Sequence, residues 1–207
     1  MTVGFQVKPI FRGAFFNTRD IDVSQNNVNF TVATSLGYSA GMIIRKGITK
    51  KLSFETGINY VKRVYKLTIS DSSFTGESKF RIIGYEIPLL ALIYIRISEK
   101  IYMNNALGLS IDMFPSDVRT SKSYFTQSSR RTSFINPALL ANLGWEYRTD
   151  KSGFFYIGTS YQRPFSNIML TKIQYDSNNK TADAETKLVG SYLTIDFRYF
   201  FPETQEK

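Results

Sequence analysis

The stretch Phe30-Thr31-Val32-Ala33-Thr34-Ser35-Leu36-Gly37-Tyr38-Ser39-Ala40-Gly41-Met42-Ile43-Ile44 decides how the chain is read. Taking every second residue collects Phe30, Val32, Thr34, Leu36, Tyr38, Ala40, Met42 and Ile44. The alternate set is Thr31, Ala33, Ser35, Gly37, Ser39 and Gly41. Successive side chains of a β-strand point to opposite faces, so this period of two predicts a strand with one bulky apolar face and one small, polar face. It is also long. A tilted membrane-crossing strand needs roughly 9 to 11 residues, whereas globular strands are usually nearer five or six.

The same pattern recurs seven times. Val3, Phe5, Val7, Pro9 and Phe11 alternate with Gly4, Gln6, Lys8 and Arg12, and Leu52, Phe54, Thr56, Ile58 and Tyr60 with Ser53, Glu55, Gly57 and Asn59. Ile83 to Ile95 alternates with Gly84, Glu86, Pro88 and Arg96, although Leu90 and Leu92 blur the pattern. Further segments start at Ile101, Ile135, Phe155 and Val189, the last placing Val189, Leu193, Ile195, Phe197 and Tyr199 opposite Gly190, Thr194, Asp196 and Arg198. About eight strands result, an even number as bacterial membrane barrels require. The segments 46–50, 98–100 and 149–153 are tight and polar. The segments 17–29, 70–79, 115–132 and roughly 174–186 are long and rich in Ser, Thr, Asn and Asp.

These features predict an all-β fold: one domain over 1–207, an eight-stranded antiparallel up-and-down transmembrane β-barrel with short periplasmic turns, long extracellular loops and both termini periplasmic. A soluble lipocalin-like carrier is the structural rival, with its apolar set turned inward around a ligand. The glycines, serines and charges of the small set suit instead the narrow interior of an eight-stranded barrel, and the bulky set suits lipid. Phe54, Trp145, Tyr147, Phe155, Phe197 and Tyr199 fall near the short-turn ends, where an interfacial girdle belongs. No run of about 20 apolar residues exists for a membrane helix. Met1 is followed by neither a charged nor an apolar leader region, so the sequence reads as a mature form.

The segment Gly84-Tyr85-Glu86-Ile87-Pro88-Leu89-Leu90 and the closing Leu193-Thr194-Ile195-Asp196-Phe197-Arg198-Tyr199-Phe200-Phe201 resemble the PorT-like group of outer-membrane β-barrel proteins of Bacteroidota, which is similar in architecture to OmpX. The resemblance implies a barrel in the cell outer membrane. Some members of that group are linked to type IX secretion and many have no assigned activity. It also implies that Phe201 serves as the terminal aromatic read by the barrel-assembly machinery, although this chain continues with Pro202-Glu203-Thr204-Gln205-Glu206-Lys207.

Composition narrows the chemistry. The chain has no Cys and no His, which removes disulfides, thiolate sites, the usual base for activating Ser and the commonest neutral metal ligand. No enzyme, cofactor or metal is expected. The net charge of +9 is scattered through strands and loops and forms no basic helix, so nucleic acid is not the expected partner. Outer-membrane lipid and lipopolysaccharide suit such a charge, and a larger outer-membrane complex of the secretion or barrel-assembly kind is the alternative partner.

Lys8, Arg12, Glu55, Arg63, Glu86, Arg96, Asp112, Glu146, Arg148, Asp196 and Arg198 fall on the small-residue phase and form an expected lumen network of paired charges, closing the barrel to ions. A Lys8–Asp196 contact is expected where the first and last strands meet. Arg119, Lys122, Arg130 and Arg131 in the third long segment are candidate contacts for lipid phosphates.

Overall fold

The computed structural model describes residues 1–11, 20–177 and 180–202. Each regular element among them is a strand: β1 (Thr2–Phe11), β2 (Ile21–Gln25), β3 (Val28–Gly47), β4 (Leu52–Ser70), β5 (Thr75–Arg96), β6 (Ile101–Met113), β7 (Val118–Lys122), β8 (Phe125–Arg131), β9 (Ile135–Arg148), β10 (Phe154–Pro164), β11 (Met169–Ser177), β12 (Lys180–Leu188) and β13 (Tyr192–Phe200). The expectation of eight strands is thus corrected to thirteen. Eight of them, β1, β3, β4, β5, β6, β9, β10 and β13, pair in sequence as antiparallel neighbours. β1 closes an unevenly round ring by pairing with β13 on one side and β3 on the other.

The remaining five strands lie wholly or partly in segments expected to be irregular. β2 pairs with the far part of β3, and β7, β8, β11 and β12 form a second sheet in the order β12-β11-β8-β7. Polar residues such as Ser121, Ser128 and Gln174 sit on outward faces here, while Phe125, Gln127 and Ser129 of β8 and Thr171, Ile173 and Tyr175 of β11 turn inward. Pairing satisfies the backbone groups that a long loop would leave to water. Asn26 and Asn27, at φ 50° and 60°, make the tight turn from β2 to β3, a left-handed pair suited to a two-residue hairpin. Val189 precedes the last strand, which begins at Tyr192.

A β-bulge in β3 separates the molecule into two storeys. Ser35 is opposite Val64 and Tyr38 opposite Lys62, so Leu36 and Gly37 together face Arg63. One extra residue reverses the parity of a strand. On the short-turn side of the bulge, Gly37, Ser39, Ile43 and Arg45 point inward and Leu36, Tyr38, Met42 and Ile44 outward. Beyond it Val28, Phe30 and Val32 are buried instead. Placing Phe30 and Val32 on the outer face with Met42 is therefore corrected. β1 ends at the bulge too, its Ile10 paired with Gly37.

The storeys have opposite polarity. The ring at the short-turn end exposes Phe5, Val7, Met42, Ile58, Ile93, Leu107, Trp145, Ile157 and Phe197 on its outer wall and buries charged side chains within. The hairpin end buries Phe30, Tyr65, Leu67, Ile69, Phe80, Ile82, Phe114, Phe125, Ile173 and Tyr175 in one apolar core, and turns Glu77, Lys79 and Arg81 outward. An interior that is small and polar along the whole barrel is thus not what forms. Contacts across the seams of the upper wall include Asn26 Nδ2 donating to the Thr181 carbonyl at 3.1 Å and Lys122 Nζ donating to the Glu77 carbonyl at 2.9 Å.

Candidate functional site

The most concentrated chemistry lies in the lumen of the eight-strand ring. Inward positions alternate along each strand, so every ring strand presents polar side chains to the same narrow space. Gly144 and Gly158 are register partners on β9 and β10. A Cβ on Gly144 would come within 2.6 Å of the Tyr156 ring, so this pair leaves room for the aromatic side chain on which the guanidinium of Arg198 stacks at 4.6 Å.

Nearest the short turns, Arg45 bridges two carboxylates. Its Nη2 lies 2.8 Å from Glu55 Oε2 and its Nη1 2.5 Å from Glu146 Oε2, with Nε donating to Glu55 at 3.0 Å. Glu55 is shared, since its Oε1 accepts from Arg198 Nη1 at 2.7 Å. Arg198 Nη2 reaches Asp196 at 2.6 Å, and Arg148 Nε reaches Glu146 at 2.7 Å. Asp196 also accepts from Ser160 and Thr194. Phe200 covers Arg45 from 4.0 Å.

Toward the bulge, Glu86 accepts from Asn59 Nδ2 at 2.8 Å, from Tyr192 and from Lys8 Nζ at 3.3 Å. Arg63 Nη2 donates to Asp112 at 2.7 Å, and Gln162 Nε2 donates to the same carboxylate at 2.6 Å. Lys8, Arg45, Arg63 and Arg198 face Glu55, Glu86, Asp112, Glu146 and Asp196, all buried. The half-buried Arg148 balances the charge. Leu90, Leu92, Tyr94, Ala106 and Leu140 fill the space beside them.

Of the residues singled out from sequence, Lys8, Glu55, Arg63, Glu86, Asp112, Glu146, Asp196 and Arg198 lie in this cluster and Arg148 at its rim. Arg12 lies outside the described residues. Arg96 is corrected: it is exposed, at the end of β5 where the chain enters the turn, and its Nε donates to the Ser98 carbonyl at 3.1 Å. The Lys8–Asp196 contact is also replaced. β1 and β13 do pair and both side chains point inward, but Asp196 is held by Arg198, Ser160 and Thr194, and Lys8 reaches across to Glu86. Arg45 was not singled out, although it continues the phase of Gly37, Ser39 and Gly41.

Arg119 and Arg130 are exposed on β7 and β8. Arg131 points its Nη1 at the carbonyls of Phe114 (3.0 Å) and Pro115 (2.7 Å), so its fork braces backbone rather than facing outward. Phe201 is exposed at the end of β13, edge-on to Phe5 at 5.2 Å and Tyr199 at 5.4 Å. Among the described residues no group of His, Cys, Asp and Glu is arranged to hold a metal.

No protein-family model matches the chain, and no curated protein matches it. Among solved structures it is similar to the outer membrane protein OprG from Pseudomonas aeruginosa, at 14% identity and a TM-score of 0.61, over 98% of this chain and 95% of that one. The COG4313 outer membrane channel from Pseudomonas putida F1 (10% identity, TM-score 0.27, covering 97% and 95%) and the β domain of the Bordetella autotransporter Brka (9%, 0.25, covering 96% and 97%) are more distant. The likeness to OprG shows the fold: an all-β antiparallel architecture of the outer-membrane β-barrel type.

Proposed function

We propose that the chain is a non-catalytic integral barrel of the cell outer membrane, its termini periplasmic, that presents its hairpin storey at the cell surface as a structural or interaction element. The observation that carries this reading is the reversal of polarity at the bulge. Below it the wall is apolar outside and charged inside, as lipid requires; above it the wall is polar outside and apolar inside, as water requires. A soluble carrier would need a polar outer wall and an apolar cavity in the ring, and the ring has the reverse arrangement.

The lumen charges serve as filling and strand clamps in this reading. Each buried carboxylate is held by cations or hydrogen-bond donors, so its oxygens are engaged in ion pairs and hydrogen bonds within the lumen. The apolar core of the upper storey adds a second plug. The chain should therefore fractionate with outer membranes, require detergent and migrate differently on gels before and after heating, and it should give no steady single-channel conductance in planar bilayers. Recovery among soluble periplasmic contents would overturn the membrane reading; steady conductance would overturn the closed lumen. The resemblance of residues 84–90 and 193–201 to PorT-like proteins supports a second reading, an accessory subunit of a secretion or barrel-assembly complex, for which native pull-down should return a stoichiometric partner.

A further inference from the structure

The outer wall of β4 and β5, just beyond the apolar band, carries an uneven charge. Lys62, Lys66, Lys79 and Arg81 all project there, with Glu77 among them. Lys66 and Lys79 are direct register partners, an arrangement of like charges that is unfavourable without a counter-ion. Glu77 answers only part of it: its carboxylate pairs with Lys66 at 2.6 Å, while its backbone carbonyl draws in a fifth cation, Lys122 of β7, at 2.9 Å. The wall formed by β8, β11 and β12 differs. There Arg130, Lys172 and Lys187 stand with Asp183 and Glu185, and Lys172 already pairs with Glu185 at 3.2 Å.

The cationic patch is continuous with a surface made for hydrocarbon. Tyr38, Tyr60 and Tyr85 form a row of touching rings across β3, β4 and β5, at centroid separations of 6.0 and 6.1 Å. Lys62 lies 5.6 Å over the Tyr38 ring and marks the lower edge of the patch. Met42, Ile58 and Leu89 are exposed on the short-turn side of that row. Lys66 is four residues beyond Lys62, roughly 13 Å along an extended strand. Cations thus begin at the aromatic row and extend over the depth of a headgroup layer.

We propose that this face binds a phosphorylated lipid headgroup, a bis-phosphorylated glycolipid of the outer leaflet, with phosphates on Lys66, Lys79 and Arg81 and acyl chains along Met42, Ile58 and Leu89. The inference rests on the outer-membrane reading above. Arg81 supplies a planar fork for bidentate phosphate contact and the lysines supply point charges. A free anion would use the cations alone; the adjoining apolar wall selects a lipid.

The test uses the full chain in nanodiscs of zwitterionic lipid doped with bis-phosphorylated lipid A, with binding read by native mass spectrometry. The wild type should retain lipid A and release its dephosphorylated form. The triple variant Lys66→Gln, Lys79→Gln, Arg81→Gln should bind on the order of a hundredfold more weakly, since each surface cation contributes about fivefold, whereas Arg81→Gln alone should lose about fivefold. The control Arg130→Gln, Lys172→Gln, Lys187→Gln removes the same charge from the other wall and should bind as wild type. Heat-modifiable migration verifies that each variant is folded. Equal binding of triple variant and wild type, equal binding of dephosphorylated lipid, or full displacement by millimolar inorganic phosphate would overturn the headgroup site while leaving the membrane reading intact. Failure of the wild type to insert into bilayers would overturn both.

Discussion

Glu55 holds two guanidinium groups at once, those of Arg45 and Arg198, and is 1% exposed. Removing it leaves two buried cations short of a partner, a change that typically costs about 3–5 kcal/mol. Glu55→Ala should therefore lower stability by about that amount in denaturant titrations of the refolded barrel, and Ser152→Ala, in an exposed turn, should change it by less than about 0.5 kcal/mol. Asp71 shows a different situation, a half-buried acid outside the lumen with a structural task. The backbone N–H of Ser73, foremost, with the Tyr175 hydroxyl, the Ser73 hydroxyl and the backbone N–H of Phe74, holds its carboxyl down at about 2, against an ordinary 3.8. A depressed acid contributes stability above its unfolded pKa and loses that contribution as pH falls through the folded one. The contact from the β4–β5 turn to Tyr175 should thus be lost between about pH 4 and pH 2. NMR of the Tyr175 ring follows that loss, and Asp71→Asn should abolish its acid dependence.

At the scale of elements, the bulge at Leu36 and Gly37 sets which face of β3 is buried. Deleting Leu36 restores even pairing and forces either Phe30 and Val32 out of the upper core or Ser39 and Arg45 out of the lumen. The expected result is loss of the upper storey first, seen as protease cleavage in the β7–β8 and β11–β12 hairpins while the ring still resists detergent. Substituting Leu36 by Ala keeps the residue count and should leave the hairpins protected. The ring strands were legible because each keeps one phase over many residues, as β4 does from Ser53 to Ile69. The bulge was not, since one added residue leaves no mark in a run where Thr31, Ala33 and Ser35 are as small as Ser39 and Gly41. The second sheet was hidden for another reason: its strands are short, and residues such as Ser128 and Gln174 on their outer faces have the composition of loops. Most of the lumen acids and bases could be read from alternation. Their partners could not, because register and reach across the lumen bring Lys8 to Glu86 and not to Asp196.

For the whole molecule, a charged lumen and an apolar core lie on either side of the bulge, and the outer surface changes from apolar to polar where the interior changes filling. In the proposed membrane reading, the reversal at the bulge would set how deep the barrel sits in a bilayer. Trp145 gives a direct reading of that depth. It is the sole tryptophan of the chain, it lies on the outer wall near the short-turn end, and it is 49% exposed. Its fluorescence can be followed in bilayers whose lipids carry bromine at successive acyl positions. An outer wall that meets hydrocarbon should give strong quenching, greatest for bromine near the headgroup end of the chain, with little quenching by aqueous iodide. Quenching by iodide with no response to brominated lipid would contradict the account, because it would place this wall in water.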